Sequence, residues 1–125
     1  MAIAHAISGE VLDLQALGPP AAPEKTIALF KAKDLEVMRL VLPAGKRMPD
    51  HSVPGSITLQ CMRGKVDLLL PDRTAALHAG QFAYVAGGVP HGLYAQQDCD
   101  LLLTIAIQGP PQGQGASFKQ EGPLT

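Results

Sequence analysis

Few side chains in this sequence can do chemistry, and two of them stand at the ends of turns. His51 lies just past the opening turn of the stretch Gly45–Gly64, GKRMPDHSVPGSITLQCMRG, and His91 closes a second glycine-rich run, AGGVPH. Near neutral pH an imidazole can ligate a divalent cation, exchange a proton, or orient a polar or anionic ligand. His5 and His78 complete the four histidines, and Cys61 and Cys99 are the two thiols. Cys61 sits in an apolar run and reads as a small buried side chain. Cys99 lies between Asp98 and Asp100, with no basic neighbour in sequence to lower its pKa, and reads as inert.

The elements that must position these groups are strands. TIALFKA and LEVMRLVL are separated by Lys33-Asp34, and in the second run Met38, Leu40 and Leu42 share one parity while Val37, Arg39 and Val41 share the other. Both faces of that strand are largely apolar, so it is expected to be covered on both sides. Arg39 is the one charge in its row, expected to snorkel to the rim or, as a second reading, to reach a cavity. VDLLL, two short runs punctuated by Gly80 and Gly87-Gly88, and LLLTIAI follow. No segment keeps a 3.6-residue apolar period. Short strands at spacings of roughly 8–12 residues with Gly and Pro turns predict an all-β sandwich or barrel.

The ends differ from the middle. Residues 3–14 are apolar and β-permissive apart from Ser8-Gly9, and Pro19, Pro20 and Pro23 then forbid a regular strand or helix. Residues 1–25 are therefore read as an N-terminal strand and Pro-rich arm, 26–107 as the barrel, and the Gly/Pro/Gln-rich 108–125 as a flexible tail. His5 falls in the arm and is given no role.

Composition excludes several classes of function. At 125 residues the chain is one domain, able to bury about two-thirds of its unfolded surface. Ten Lys plus Arg against eleven Asp plus Glu, with no basic block and no Trp, argue against a nucleic-acid partner. The densest apolar run, Leu101–Ile107, is far short of the ~20 residues that span a bilayer, so no membrane partner is expected. The N-terminus lacks the pattern of a signal peptide, and two cysteines make no disulfide framework. The expected setting is soluble and cytoplasmic.

The two histidine motifs resemble those of a small single-domain cupin over about residues 26–107. Gly45 is followed after five residues by His51, and Gly64 closes the first motif; Gly80, Gly88, Pro90 and His91 keep the spacing of the second. The resemblance implies a cupin-type double-stranded β-barrel, a jelly-roll relative, and a homodimer. It also turns Leu77 to the core and His78 to solvent. By alternation, Ile57, Leu59 and Cys61 point inward while Thr58 and Gln60 lie on the outer face, solvated or lining a dimer interface.

This sequence departs from the family pattern at the metal. Val53 stands at the second histidine position, Ile57 at the glutamate, Ala86 at the motif proline and Ala95 at the usual asparagine. Of the four side chains with which a typical cupin binds its metal, His51 and His91 remain. Two imidazoles leave most positions to water and hold a divalent metal weakly. Cys61 lies about 13 Å of strand beyond position 57, too far for easy coordination there. The expected site is thus a ligand pocket of His51, Val53, Ile57, Leu59, Cys61 and His91, with no standard metal site and at most a weakly bound divalent metal at His51 and His91. Three functions fit: a module binding a small molecule in its cavity; a metal-dependent enzyme of oxygenase or isomerase type with a reduced two-His site; or a non-catalytic dimeric structural or regulatory module.

Overall fold

Alternation of apolar residues sorts the strands of this chain into two facing sheets. The structure, a computed structural model, describes residues 6–14 and 25–107; His5, Pro19, Pro20, Pro23 and the segment 108–125 lie outside the described residues. The strands are β1 (Lys25–Lys31), β2 (Leu35–Leu42), β3 (Arg47–His51), β4 (Ile57–Arg63), β5 (Lys65–Leu69), β6 (Thr74–His78), β7 (Phe82–Val85), β8 (His91–Ala95) and β9 (Cys99–Ala106). One sheet has the order β1-β2-β9-β4-β7 and the other β3-β8-β5-β6, with every adjacent pair antiparallel. Among the described residues no helix is long and apolar enough to cross a membrane.

The turns fall where the sequence breaks the apolar pattern. Lys33-Asp34 closes the β1–β2 hairpin, with Ala32 N donating to Leu35 O at 2.8 Å, and Pro71-Asp72 closes β5–β6, with Leu70 N donating to Arg73 O at 2.8 Å. After β2, Pro43-Ala44-Gly45 reverses the chain through Gly45 at φ +87°.

The core is the space between the sheets. On β4, Ile57, Leu59 and Cys61 are buried and the alternate Thr58 and Gln60 are not, as the parity predicts. Val66, Leu68, Leu77 and Leu93 meet them from the opposite sheet. Each fully buried leucine or isoleucine stabilises the fold by roughly 1.5–3 kcal/mol, so this layer is what holds the two sheets face to face. Leu77 is in the core and His78 is exposed, also as expected.

Two expectations need correction. Residues 6–14 contain no strand: Ser8-Gly9 form a turn in which Glu10 N donates to Ile7 O at 2.9 Å and Ile7 N to Glu10 Oε1 at 3.1 Å. That turn satisfies the backbone locally, and Ala6 N donates to Leu29 O at 3.0 Å. Arg39 neither snorkels nor reaches the cavity. It is 3% exposed on the outward row of β2, and its Nε and second guanidinium nitrogen donate to the two carboxylate oxygens of Asp100 at 2.7 and 2.6 Å. Asp100, 1% exposed, lies on β9 opposite Val41. The second half of β2 is therefore buried on both faces, as its composition predicts.

Candidate functional site

The two histidines meet because a bulge absorbs the extra residue that one strand carries. Pairing between β3 and β8 runs Arg47↔Tyr94 and Met48↔Leu93, then slips so that His51 faces His91. Pro49 and Asp50 together oppose Gly92, a two-against-one bulge. Pro49 has no N–H to give the ladder, which makes this the natural place for pairing to break. Without the bulge, regular alternation through residues 48–51 would put Met48 and Asp50 on one face and His51 on the other. With it, Met48 and His51 both line the cavity. Gly92 accommodates the bulge: a Cβ there would collide with the Asp50 carboxylate folded against it.

The ring centroids of His51 and His91 are 4.7 Å apart, at an interplanar angle of 52°. His91 is 6% exposed, whereas His51 is open to solvent at the mouth. Nδ1 of His91 donates to the Val89 carbonyl at 3.0 Å, which fixes the ring. The loops carrying the two histidines are tied by Gly88 N donating to Val53 O at 2.8 Å.

Behind the pair lies a cavity of about 150 Å³. Met38, Leu40, Ile57, Leu59, Leu103 and Ile105 form its wall from one sheet, and Met48, Leu68 and Leu93 from the other. Thr26, His51 and His91 are its polar side chains. Of the six residues expected in the pocket, the structure brings together His51, His91, Ile57 and Leu59 and leaves out two. Val53 packs half-buried against the core and ties the loops through its carbonyl, off the cavity wall. Cys61 points inward but lies further along β4, where its Sγ donates to the carbonyls of Arg63 and Gly64 at 3.4 and 3.6 Å. Sequence reasoning missed Met38 and Leu40 as cavity wall, although their shared parity was legible, and Met48, which the bulge hides.

Neither thiol is reactive by its surroundings. Burial pushes the Cys99 thiol up to about 12, with Cys61, Asp100 and Asp98 adding to the effect, and burial likewise raises Cys61.

The residues of the site do not match the donor set of the divalent metal that the fold implies. Among the described residues no group of three or more His, Cys, Asp or Glu is placed to hold one. Two imidazoles facing aliphatic Ile57 and Leu59 do not fit a tightly held ion, which needs a carboxylate or further nitrogen donors.

Comparisons with known proteins bear on the fold. No family model matches the chain, and no curated protein matches it by sequence. Solved structures do match. A conserved protein of unknown function from Streptococcus pyogenes superposes with a TM-score of 0.74 at 23% identity, covering 88% of this chain and 97% of that one. A cupin superfamily protein from Desulfitobacterium hafniense gives 0.73 at 13% identity, covering 86% and 100%. Enzymes share the fold too: a salicylate 1,2-dioxygenase from Pseudaminobacter salicylatoxidans gives 0.61 at 21% identity, over 69% of this chain but 27% of the enzyme. These identities speak for the fold and not for the chemistry. The chain therefore has the fold of small cupin domains.

Proposed function

We propose that this domain binds a small molecule in the cavity between its sheets, with His51 and His91 as polar anchors and no standard metal site. The observation that carries the reading is the pair of imidazoles, 4.7 Å apart, at one end of a cavity whose one other polar side chain among the described residues is Thr26. Such a site, mostly apolar with a few convergent polar groups, is the usual form of a small-molecule pocket. The test is thermal denaturation of the protein against a set of small apolar and amphiphilic compounds. Ligands should raise the melting temperature of the wild type with the logarithm of their free concentration once it exceeds Kd. They should fail to do so for a cavity-filling Leu59→Phe variant that is itself folded. Equal stabilisation of both proteins would place the binding elsewhere and end the proposal.

One observation favours a second reading, a metal-dependent enzyme whose two-His site is completed by water or substrate. The His91 Nδ1–carbonyl hydrogen bond is the kind of support that metal-ligating histidines receive. Elemental analysis of protein purified without a chelating tag separates the readings. Stoichiometric metal that is lost in a His51→Ala/His91→Ala double variant would favour the enzyme.

The proposal extends to a homodimer in a cytoplasmic setting. Phe82 and Tyr84 are 66% and 65% exposed on β7, in register with Gln60 and Thr58 on the outer face of the five-stranded sheet. Both cysteines are free and buried, as suits a reducing compartment.

A further inference from the structure

We infer that the ligand of this cavity is a small uncharged molecule bearing a hydroxyl group, a phenol-sized ring or an alcohol of similar bulk, which donates its proton to Nε2 of His91. The inference rests on the binding function proposed above and names the class of molecule bound.

Size comes first. The cavity holds about 150 Å³, the volume at which an aliphatic protein cavity stays dry and accepts benzene. A single ring or a compact branched chain fits; a nucleotide or a sugar phosphate does not.

The anchor then sets the polarity. Val89 O can only accept, so the hydrogen bond at 3.0 Å requires the proton to be on Nδ1 of His91. In the neutral ring the other nitrogen, Nε2, is then an acceptor, and no hydrogen bond among the described residues engages it. A largely apolar cavity whose buried imidazole offers an acceptor, with Thr26 and His51 as its other polar side chains, favours a ligand with an apolar body and a donor. A ligand lacking the donor would leave the buried nitrogen unsatisfied.

Charge removes the remaining alternatives. No lysine or arginine lines the cavity, and the Asp50 carboxylate folds against Gly92, itself part of the lining. A carboxylate ligand would meet no lysine or arginine among the described residues and would lie close to a like charge. An ammonium would leave water for an aliphatic wall, because Asp50 stays solvent-exposed at the rim.

The experiment is a titration of uniformly 15N-labelled full-length protein with phenol, toluene and benzoate in turn, read in long-range imidazole 1H–15N spectra and in backbone amide spectra. Phenol should bind about fivefold more tightly than toluene, the share of one net hydrogen bond. It should move the Nε2 resonance of His91 while Nδ1 keeps its proton, and benzoate should bind more weakly than either. Equal binding of phenol and toluene, with Nε2 unmoved, overturns the inference and leaves the cavity as a non-selective binding site. Benzoate binding more tightly than phenol also overturns it, again leaving the cavity reading intact. If none of the three perturbs the residues around the cavity, the binding function fails and the inference fails with it.

Discussion

At the scale of single residues, hydrocarbon surrounds the two histidines. Ile57 stands where the cupin motif that this sequence resembles carries a carboxylate, and its side chain lines the same cavity as both histidines. Ile57→Glu should therefore rebuild a set of two histidines and one carboxylate, and isothermal titration should show divalent nickel or zinc binding that the wild type lacks. Without metal, the buried carboxylate should cost several kcal/mol of stability. The thiols make a separate prediction. In the unfolded chain a cysteine ionises near ~8.5, whereas Cys99 in the fold is held up to about 12. The unfolded state therefore loses its proton first, so stability is intact below about pH 8.5 and declines as pH rises toward 12. Urea denaturation at pH 7, 9.5 and 11 should show this decline, and Cys99→Val should make it shallower. A slope unchanged by that substitution would assign the effect to other groups.

At the scale of elements, the bulge on β3 is the feature on which the site depends. Gly92→Val puts a side chain where the Asp50 carboxylate and the Met48 carbonyl lie, so the bulge cannot form and His51 loses its register with His91. The contact between the His51 and His91 ring protons, strong in the wild type by nuclear Overhauser spectroscopy, should then vanish while the fold persists. Strand alternation on β4 and the turns at Lys33-Asp34, Pro43–Gly45 and Pro71-Asp72 were legible because period and turn chemistry are local. The bulge was not, since a proline in a short polar run reads equally well as a loop. Parity also gives a side chain's face but not its depth along the barrel, which is why Cys61 was grouped with Ile57 although it lies beyond the cavity. The partner of Arg39 was invisible for a different reason: Asp100 is 61 residues away, and only the folded register brings the two together.

At the scale of the whole molecule, the exposed Phe82 and Tyr84 predict self-association through the outer face of the five-stranded sheet. Light scattering coupled to size-exclusion chromatography should give a dimer for the wild type and a monomer for a Phe82→Glu/Tyr84→Lys double variant. Among the described residues, nine short strands must also find one arrangement. β9 is so uniformly apolar that sliding it by two residues along β2 would keep every side chain on its proper face. Leu40 would meet Leu103 in place of Leu101, and Met38 would meet Ile105 in place of Leu103. Hydrophobicity alone scores these alignments almost alike. The Arg39–Asp100 pair does not, because a two-residue slide separates its charges by about 7 Å of strand and strands both in a dry layer. Arg39→Met alone should thus cost about 3–5 kcal/mol, whereas Arg39→Met with Asp100→Leu should be near neutral in stability. The double variant should nonetheless give duplicated amide resonances along β9, the trace of a chain that still folds but has lost its means of counting.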